Sequence, residues 1–144
     1  MNKNFRFSIL VLLLAFVLIL SACQPANPVE GDSADQIRAV ADPIAETIVK
    51  GLVDNSQDTF STGFDSKLAS AFRSADFDSL RQSFIDRVGS YQSLKYDSIL
   101  EQNGYYNVIY IITGDKSSDL KMRLVFPSAE ATELSGLWFD NLDG

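Results

Sequence analysis

The sequence predicts an α+β domain in which N-terminal helices pack on one face of a four-stranded antiparallel sheet. Up to Gly89, apolar residues recur every three or four positions, which is typical of amphipathic helices. After Gly89 they alternate with polar residues at every second position, which is typical of strands. An Asn103-Gly104 pair between two such stretches is a strong hairpin signal. Helices followed by a meander of strands define this fold class.

Residues 1–22 have the form of a bacterial lipoprotein signal peptide. Two basic residues precede an unbroken apolar run, residues 9–20, which is shorter than the roughly 20 residues that cross a bilayer. Residues 20–23 (LSAC) then place small residues directly before Cys23, the only cysteine of the chain. We expect Cys23 to receive a diacylglyceryl group, to gain acyl chains such as palmitate and to become the N-terminus after cleavage. An ordinary cleaved signal and an uncleaved anchor are the alternatives.

Cleavage after residue 22 would leave a chain with 10 basic and 19 acidic residues, a formal charge of −9. This charge repels nucleic acid phosphates and provides no basic patch, so no nucleic acid partner is expected. It also repels anionic lipid headgroups. We therefore expect membrane contact through the acyl chains of Cys23 and not through the domain, with the protein anchored to the cell envelope and facing outside the cytoplasm.

Residues 23–33 contain prolines and a glycine and predict a flexible tether, which leaves residues 34–144 as the domain. Ser33 and Gln36 fit a capping box that begins a long helix. Its apolar stripe continues to Val53, and a proline on its solvent side is expected to bend it or restart it.

The remaining elements follow from spacing and from turn residues. Two short helices about Gly63 and a third main helix over residues 74–88 come first, with Gly89 as the helix stop. The strands are expected in four stretches, of which the second is rich in β-branched and aromatic residues and should be central. These stretches are residues 93–100, 105–113, 120–126 and 134–139.

The FSxxFDxxL motif at residues 60–68, with Phe77 and Leu80 downstream and GLWF at residues 136–139, resembles a bacterial domain of unknown function. That domain occurs in secreted proteins and lipoproteins and is grouped with the nuclear transport factor 2-like superfamily. The likeness covers residues 35–139. It implies a cone in which a curved sheet wraps a long helix and leaves a cavity. The superfamily includes isomerases, dehydratases, ligand-binding modules and dimerisation domains, so the fold does not select an activity.

The chain contains few of the residue types and motifs that catalytic sites use. The chain has no histidine, which excludes Ser-His-Asp, Cys-His and histidine metal sites. No glycine-rich phosphate loop and no calcium-type aspartate loop are present, so neither a cofactor nor a metal is expected. What remains is aspartate and tyrosine chemistry, as in the steroid isomerases of that superfamily. The aspartates near aromatic residues are Asp65, which could instead cap a helix, Asp97 and Asp140.

We expect an envelope lipoprotein, not an enzyme, whose domain binds a small apolar ligand or another protein. One alternative is an isomerase or lyase that uses aspartate and tyrosine, and it would be favoured by a buried aspartate and a tyrosine converging on one pocket. Another is a module for homodimerisation or scaffolding. The residues predicted to line a pocket are aromatic: Phe60, Phe64, Tyr96, Tyr106, Tyr110 and Trp138.

Overall fold

The structure, a computed structural model, describes residues 25–142, apart from the side chain of Ser74. The predicted signal peptide and the acylation of Cys23 lie outside the described residues. Within the described part, none of the helices combines the length and the hydrophobicity of a membrane span.

Helix α1 comprises Gly31–Asp54 and is the longest element among residues 25–142. It ends one residue after the apolar stripe, because Asn55 adopts a left-handed conformation with φ of 56° and closes the last turn. The capping-box prediction is wrong. The N-cap is Glu30, which makes no side-chain capping bond, and Ser33 lies inside the first turn.

Three further helices follow, as predicted. They are α2 (Gln57–Phe60), α3 (Ser66–Ala71) and α4 (Ser74–Val88). The corner between α2 and α3 contains Gly63 at φ of 83°, where a Cβ would meet the side chain of Ile44 at 2.7 Å. Glycine is needed there both for the backbone angle and for the close approach to α1.

The sheet is an antiparallel meander of five strands in chain order, one more than predicted. The extra strand, β1 (Asn27–Pro28), comes from the predicted tether and pairs with the edge of the sheet. The tether prediction therefore fails for this part, because residues 27–28 are paired and α1 already begins at Gly31. The other strands are β2 (Tyr91–Gln102), β3 (Tyr105–Gly114), β4 (Leu120–Phe126) and β5 (Gly136–Asp140).

A bulge in β2 changes which of its side chains face the helices. Tyr96 pairs with Tyr110, but Ser98 pairs with Ile109, so Asp97 is the extra residue. Strict alternation predicted Leu100 on the same face as Tyr96. Instead Ile99 is the core residue, with 1% exposure. The last strand also starts later than predicted, at Gly136.

The helices of the described residues and one face of the sheet share a single hydrophobic core, and apolar side chains fill the space between α1 and the sheet. Ile48 of α1 and Val108 and Ile112 of β3 are each completely buried there. The cavity that the family resemblance implies between sheet and helix is thus occupied by core side chains at this level. A pocket remains between α1 and the part of β2 and β3 that contains Tyr96 and Tyr110.

Candidate functional site

A polar pocket of about 140 Å³ lies between the middle of α1 and the helix-facing side of β2 and β3. Helix α1 contributes three residues spaced four apart, which places them on one face of the helix. The strands contribute Tyr96 and Tyr110, which are direct register partners. The pocket is lined by Arg38, Asp42, Glu46, Leu94, Tyr96 and Tyr110.

The deepest interaction in this pocket joins β3 to α1. The hydroxyl of Tyr110 donates a hydrogen bond of 2.6 Å to Oδ1 of Asp42. Tyr110 is only 2% exposed, whereas the Asp42 side chain is 38% exposed at the pocket mouth. Burial, followed by the bond to Asp42, raises the pKa of the Tyr110 hydroxyl well above its usual range. The phenol is therefore held in its neutral, donating form.

Arg38 occupies the other side of the same carboxylate. Its Nη2 donates to Oδ2 of Asp42 at 2.9 Å, and this bond raises the pKa of the Arg38 guanidinium. The guanidinium also lies 4.2 Å from the centre of the Tyr96 ring, which is a cation–π geometry. Tyr96 in turn meets the Tyr110 ring edge to face at 6.1 Å. Arg38, Asp42, Tyr96 and Tyr110 form one connected unit, which we call the Arg–Asp–Tyr cluster.

The cluster leaves few groups free for an incoming molecule. Both oxygens of Asp42 already accept hydrogen bonds, and the hydroxyl of Tyr110 is used to supply one of them. Nε of Arg38 is shielded and has no partner among the described residues. The pocket therefore offers guanidinium N–H donors, the Tyr96 hydroxyl, the Glu46 carboxylate as an acceptor and the remaining lone pairs of Asp42. Between residues 25 and 142, no group of three acidic or cysteine side chains is arranged to hold a metal ion.

The six aromatic residues predicted to line a pocket do not share one. Tyr96 and Tyr110 lie in the polar pocket. Phe60 and Phe64 are buried in the core and line neither of the two pockets described here. Tyr106 is half-buried and packs against the core from β3.

Trp138 lines a second, more apolar groove of about 290 Å³ between α3 and β5. Trp138 is 55% exposed, whereas Leu68 and Leu137, which also line the groove, are nearly buried. The groove is separate from the polar pocket because it opens at β5, the edge of the sheet farthest from β1.

Of the three aspartates considered as catalytic residues, Asp65 and Asp140 make structural contacts and Asp97 is exposed. Asp65 caps α3 by accepting a 2.7 Å bond from the backbone N–H of Leu68. Asp97 is the exposed bulge residue, and Asp140 pairs with Arg123 on the outer face of the sheet at 2.6 Å. None of the three lines the polar pocket.

Three residues that line the polar pocket, Arg38, Asp42 and Glu46, were not among those predicted from the sequence. A signal was present, because charged residues at positions i, i+4 and i+8 border the apolar stripe of α1. Such a row is usually solvated. Here the row lines a pocket because Leu94 and Tyr96 of β2 and Tyr110 of β3 lie beside it.

No protein-family model, curated protein or solved structure matches the chain. The resemblance to the nuclear transport factor 2-like superfamily therefore stays a prediction, and the pocket is interpreted from its own geometry.

Proposed function

We propose that the protein is a lipid-anchored lipoprotein of the cell envelope whose domain binds a partner protein without catalysis. In this proposal Cys23 carries the acyl chains and the polar pocket beside the Arg–Asp–Tyr cluster receives one polar group of the partner. The anchor is supported by the position of Cys23 directly after a short apolar run and small residues. The binding role is supported by the pocket.

The observation that carries the non-catalytic role is the engagement of Asp42. A general base must have an oxygen lone pair within reach of a substrate proton, and a general acid must have its proton available. Here each oxygen of Asp42 already accepts one bond, Oδ1 from Tyr110 and Oδ2 from Arg38, and the Tyr110 proton points to Asp42. These bonds use part of the accepting capacity of the carboxylate and all of the donating capacity of the Tyr110 hydroxyl. These bonds therefore fix the positions of the Asp42 carboxylate and of the Arg38 guanidinium, which faces the pocket.

The size and polarity of the pocket favour one small polar group over the apolar ligand expected from the sequence. A cavity of about 150 Å³ holds a molecule the size of benzene, and this pocket has about 140 Å³. A donor at Arg38 and an acceptor at Glu46 match an amide, which has one C=O and N–H groups. A carboxamide or exposed peptide group of a partner protein fits these requirements.

The anchor can be tested by mass spectrometry of the full-length protein expressed in its native host and extracted from membranes. We expect a chain that starts at Cys23 and carries a diacylglyceryl group. The Cys23→Ser variant should remain uncleaved and unacylated. Maturation of this variant at the same position and its continued membrane association would contradict the proposal.

The pocket can be tested by in-cell photocrosslinking from Leu94, which lines the pocket and is half-buried. We expect an adduct that falls several-fold in the Arg38→Gln background and is absent when the photoreactive residue replaces exposed Ser118. The dependence on Arg38, not the adduct alone, supports the proposal. An adduct of twice the chain mass would indicate a second copy as the partner, and an adduct insensitive to Arg38→Gln would contradict the site.

A second function, an isomerase, is favoured by one observation, which is the convergence of Asp42 and Tyr110 on one pocket. It is the arrangement expected for that alternative, although the Asp42 side chain is 38% exposed and not buried. A β,γ-unsaturated steroid ketone tests it through the absorbance of the conjugated product. Conversion by the wild-type protein that disappears in Asp42→Asn would establish catalysis and overturn the non-catalytic proposal. Equal background rates would contradict this isomerase activity.

A further inference from the structure

The strand β1 leaves very little chain between the domain and the predicted acylation site. Asn27 is already paired with Glu101 in the sheet, and Cys23 lies four residues before it. Four residues at full extension span at most about 14 Å. A tether of residues 23–33 would have allowed more than twice that reach, so pairing of β1 brings the domain close to the bilayer.

The direction of β1 determines which end of the domain lies close to the bilayer. Asn27 pairs with Glu101 and Pro28 with Leu100, so the chain before Asn27 runs towards the turn that joins β2 to β3. We call residues 102–105 the hairpin tip. From Glu101 to the end of this tip the strand extends roughly 7–10 Å, at about 3.4 Å per residue. Cys23 can therefore extend only about 5 Å beyond the tip.

The side chain of Glu101 makes β1 and the hairpin tip one unit. Its Oε1 accepts a 2.8 Å bond from the backbone N–H of Gly104, and its Oε2 accepts a 3.3 Å bond from Nδ2 of Asn27. The backbone N–H of Val29 adds a 2.9 Å bond to the carbonyl of Ile99. The starting point of the tether and the hairpin tip are thus linked directly.

We infer that the hairpin tip rests on the lipid headgroups of the bilayer that holds the acyl chains of Cys23. This inference rests on the proposed lipid anchor. The headgroup layer on each side of a bilayer is roughly 5–8 Å thick, which is the distance that the tether leaves between acyl chains and tip. Contact of the hairpin tip with the headgroups differs from the expectation from the sequence, in which only the acyl chains of Cys23 touch the membrane.

The composition of the tip suits a neutral headgroup surface. Tyr105 is 50% exposed at the tip, and tyrosine is enriched where protein meets the membrane interface because its ring is apolar and its hydroxyl is polar. No lysine or arginine occurs in residues 24–32 or in the hairpin tip, whereas Glu30 and Asp32 are exposed. Zwitterionic phosphatidylcholine is therefore the appropriate lipid for the test.

The test uses the natively acylated full-length protein in phosphatidylcholine vesicles that carry a headgroup spin label as quencher. Because Cys23 is acylated, an introduced cysteine is the only free thiol available for a fluorophore. We compare Tyr105→Cys with Ser118→Cys, which is exposed in the connection between β3 and β4. Tyr105 begins β3 and Ser118 follows its other end, so the length of β3, about 30 Å at ~3.4 Å per residue, separates the two positions.

We expect the fluorophore at position 105 to be quenched several-fold more than the one at position 118. A twelve-residue Gly/Ser insertion after Gln24 keeps the anchor but lengthens the reach, and should remove most of the difference. Equal quenching at the two positions, or a difference that survives the insertion, would overturn the inference. Failure of the anchor itself is distinguishable, because the mass of the protein would then lack the acyl groups and the vesicles would not retain it.

Discussion

The two halves of α1 support different kinds of structure. The C-terminal half packs on the phenylalanine cluster, which we define as Phe60, Phe64, Phe72 and Phe77, with Phe60 fully buried. The N-terminal half carries the Arg–Asp–Tyr cluster, whose members are joined by directed bonds at a half-exposed carboxylate. Non-directional burial contributes most of the stability of a fold, whereas directed bonds fix the positions of a few atoms. We therefore expect perturbations of the first region to change stability more than perturbations of the second.

Replacement of Phe60 by alanine should give the largest effect. Its ring meets the rings of Phe64, Phe72 and Phe77 at 5.1, 5.3 and 5.2 Å between centroids. Removing a fully buried phenylalanine costs about 3–5 kcal/mol, because both the transfer energy and the contacts around the cavity are lost. Urea denaturation measures this change. The control Tyr105→Ala, at a half-exposed ring, should cost much less, and equal losses would remove the distinction between core and surface.

The contact between α1 and α2 offers a second test of the apolar region. A Cβ at Gly51 would lie 2.4 Å from the backbone nitrogen of Phe60. Gly51→Ala should therefore destabilise the protein by about 1–3 kcal/mol through overpacking, although alanine favours a helix by up to about 1 kcal/mol. The neighbouring exposed variant Lys50→Ala should stay within about 0.5 kcal/mol. A stabilised Gly51→Ala protein would show that α2 can move away at no cost.

The helices that carry the phenylalanine cluster could be predicted from the sequence, but the Arg–Asp–Tyr cluster could not. Helical spacing of apolar residues indicates a helix with one apolar face, so α2, α3 and α4 followed from periodicity. Phe60 and Phe64 were expected to line a pocket, whereas the structure buries both in the core. The polar pocket depends on how α1 is placed against β2 and β3. The bulge at Asp97 further changes the facing of the residues after Tyr96, and no local pattern in β2 marks it.

Within the polar region, Tyr110→Phe should have the largest effect on stability. The change removes the donor to Oδ1 of Asp42 and leaves that oxygen to water at the pocket mouth. Bonds to charged groups contribute about 1.5–3 kcal/mol, and the exposure of Asp42 places the expected cost at the lower end. The control is Tyr106→Phe, which removes a hydroxyl from a half-buried ring on the same face of β3. Equal costs for the two variants would show that the bond to Asp42 adds nothing.

The smallest expected effect is a dependence of stability on alkaline pH. Burial, and then the bond to Asp42, raise the pKa of Tyr110 above its ordinary value of 10.0. Above pH 10 the unfolded chain releases this proton while the folded chain keeps it, so the folded state binds more protons and loses relative stability as pH rises. The contribution is complete below pH 10, and about 1 kcal/mol of it should be lost by pH 11. Burial also raises the pKa of Tyr96 and of Tyr91, so part of the decline persists without Tyr110. Urea denaturation at pH 9 and pH 11 should therefore show a smaller decline for Tyr110→Phe than for the wild type, and identical declines would mean that the Tyr110 hydroxyl is not held in its neutral form.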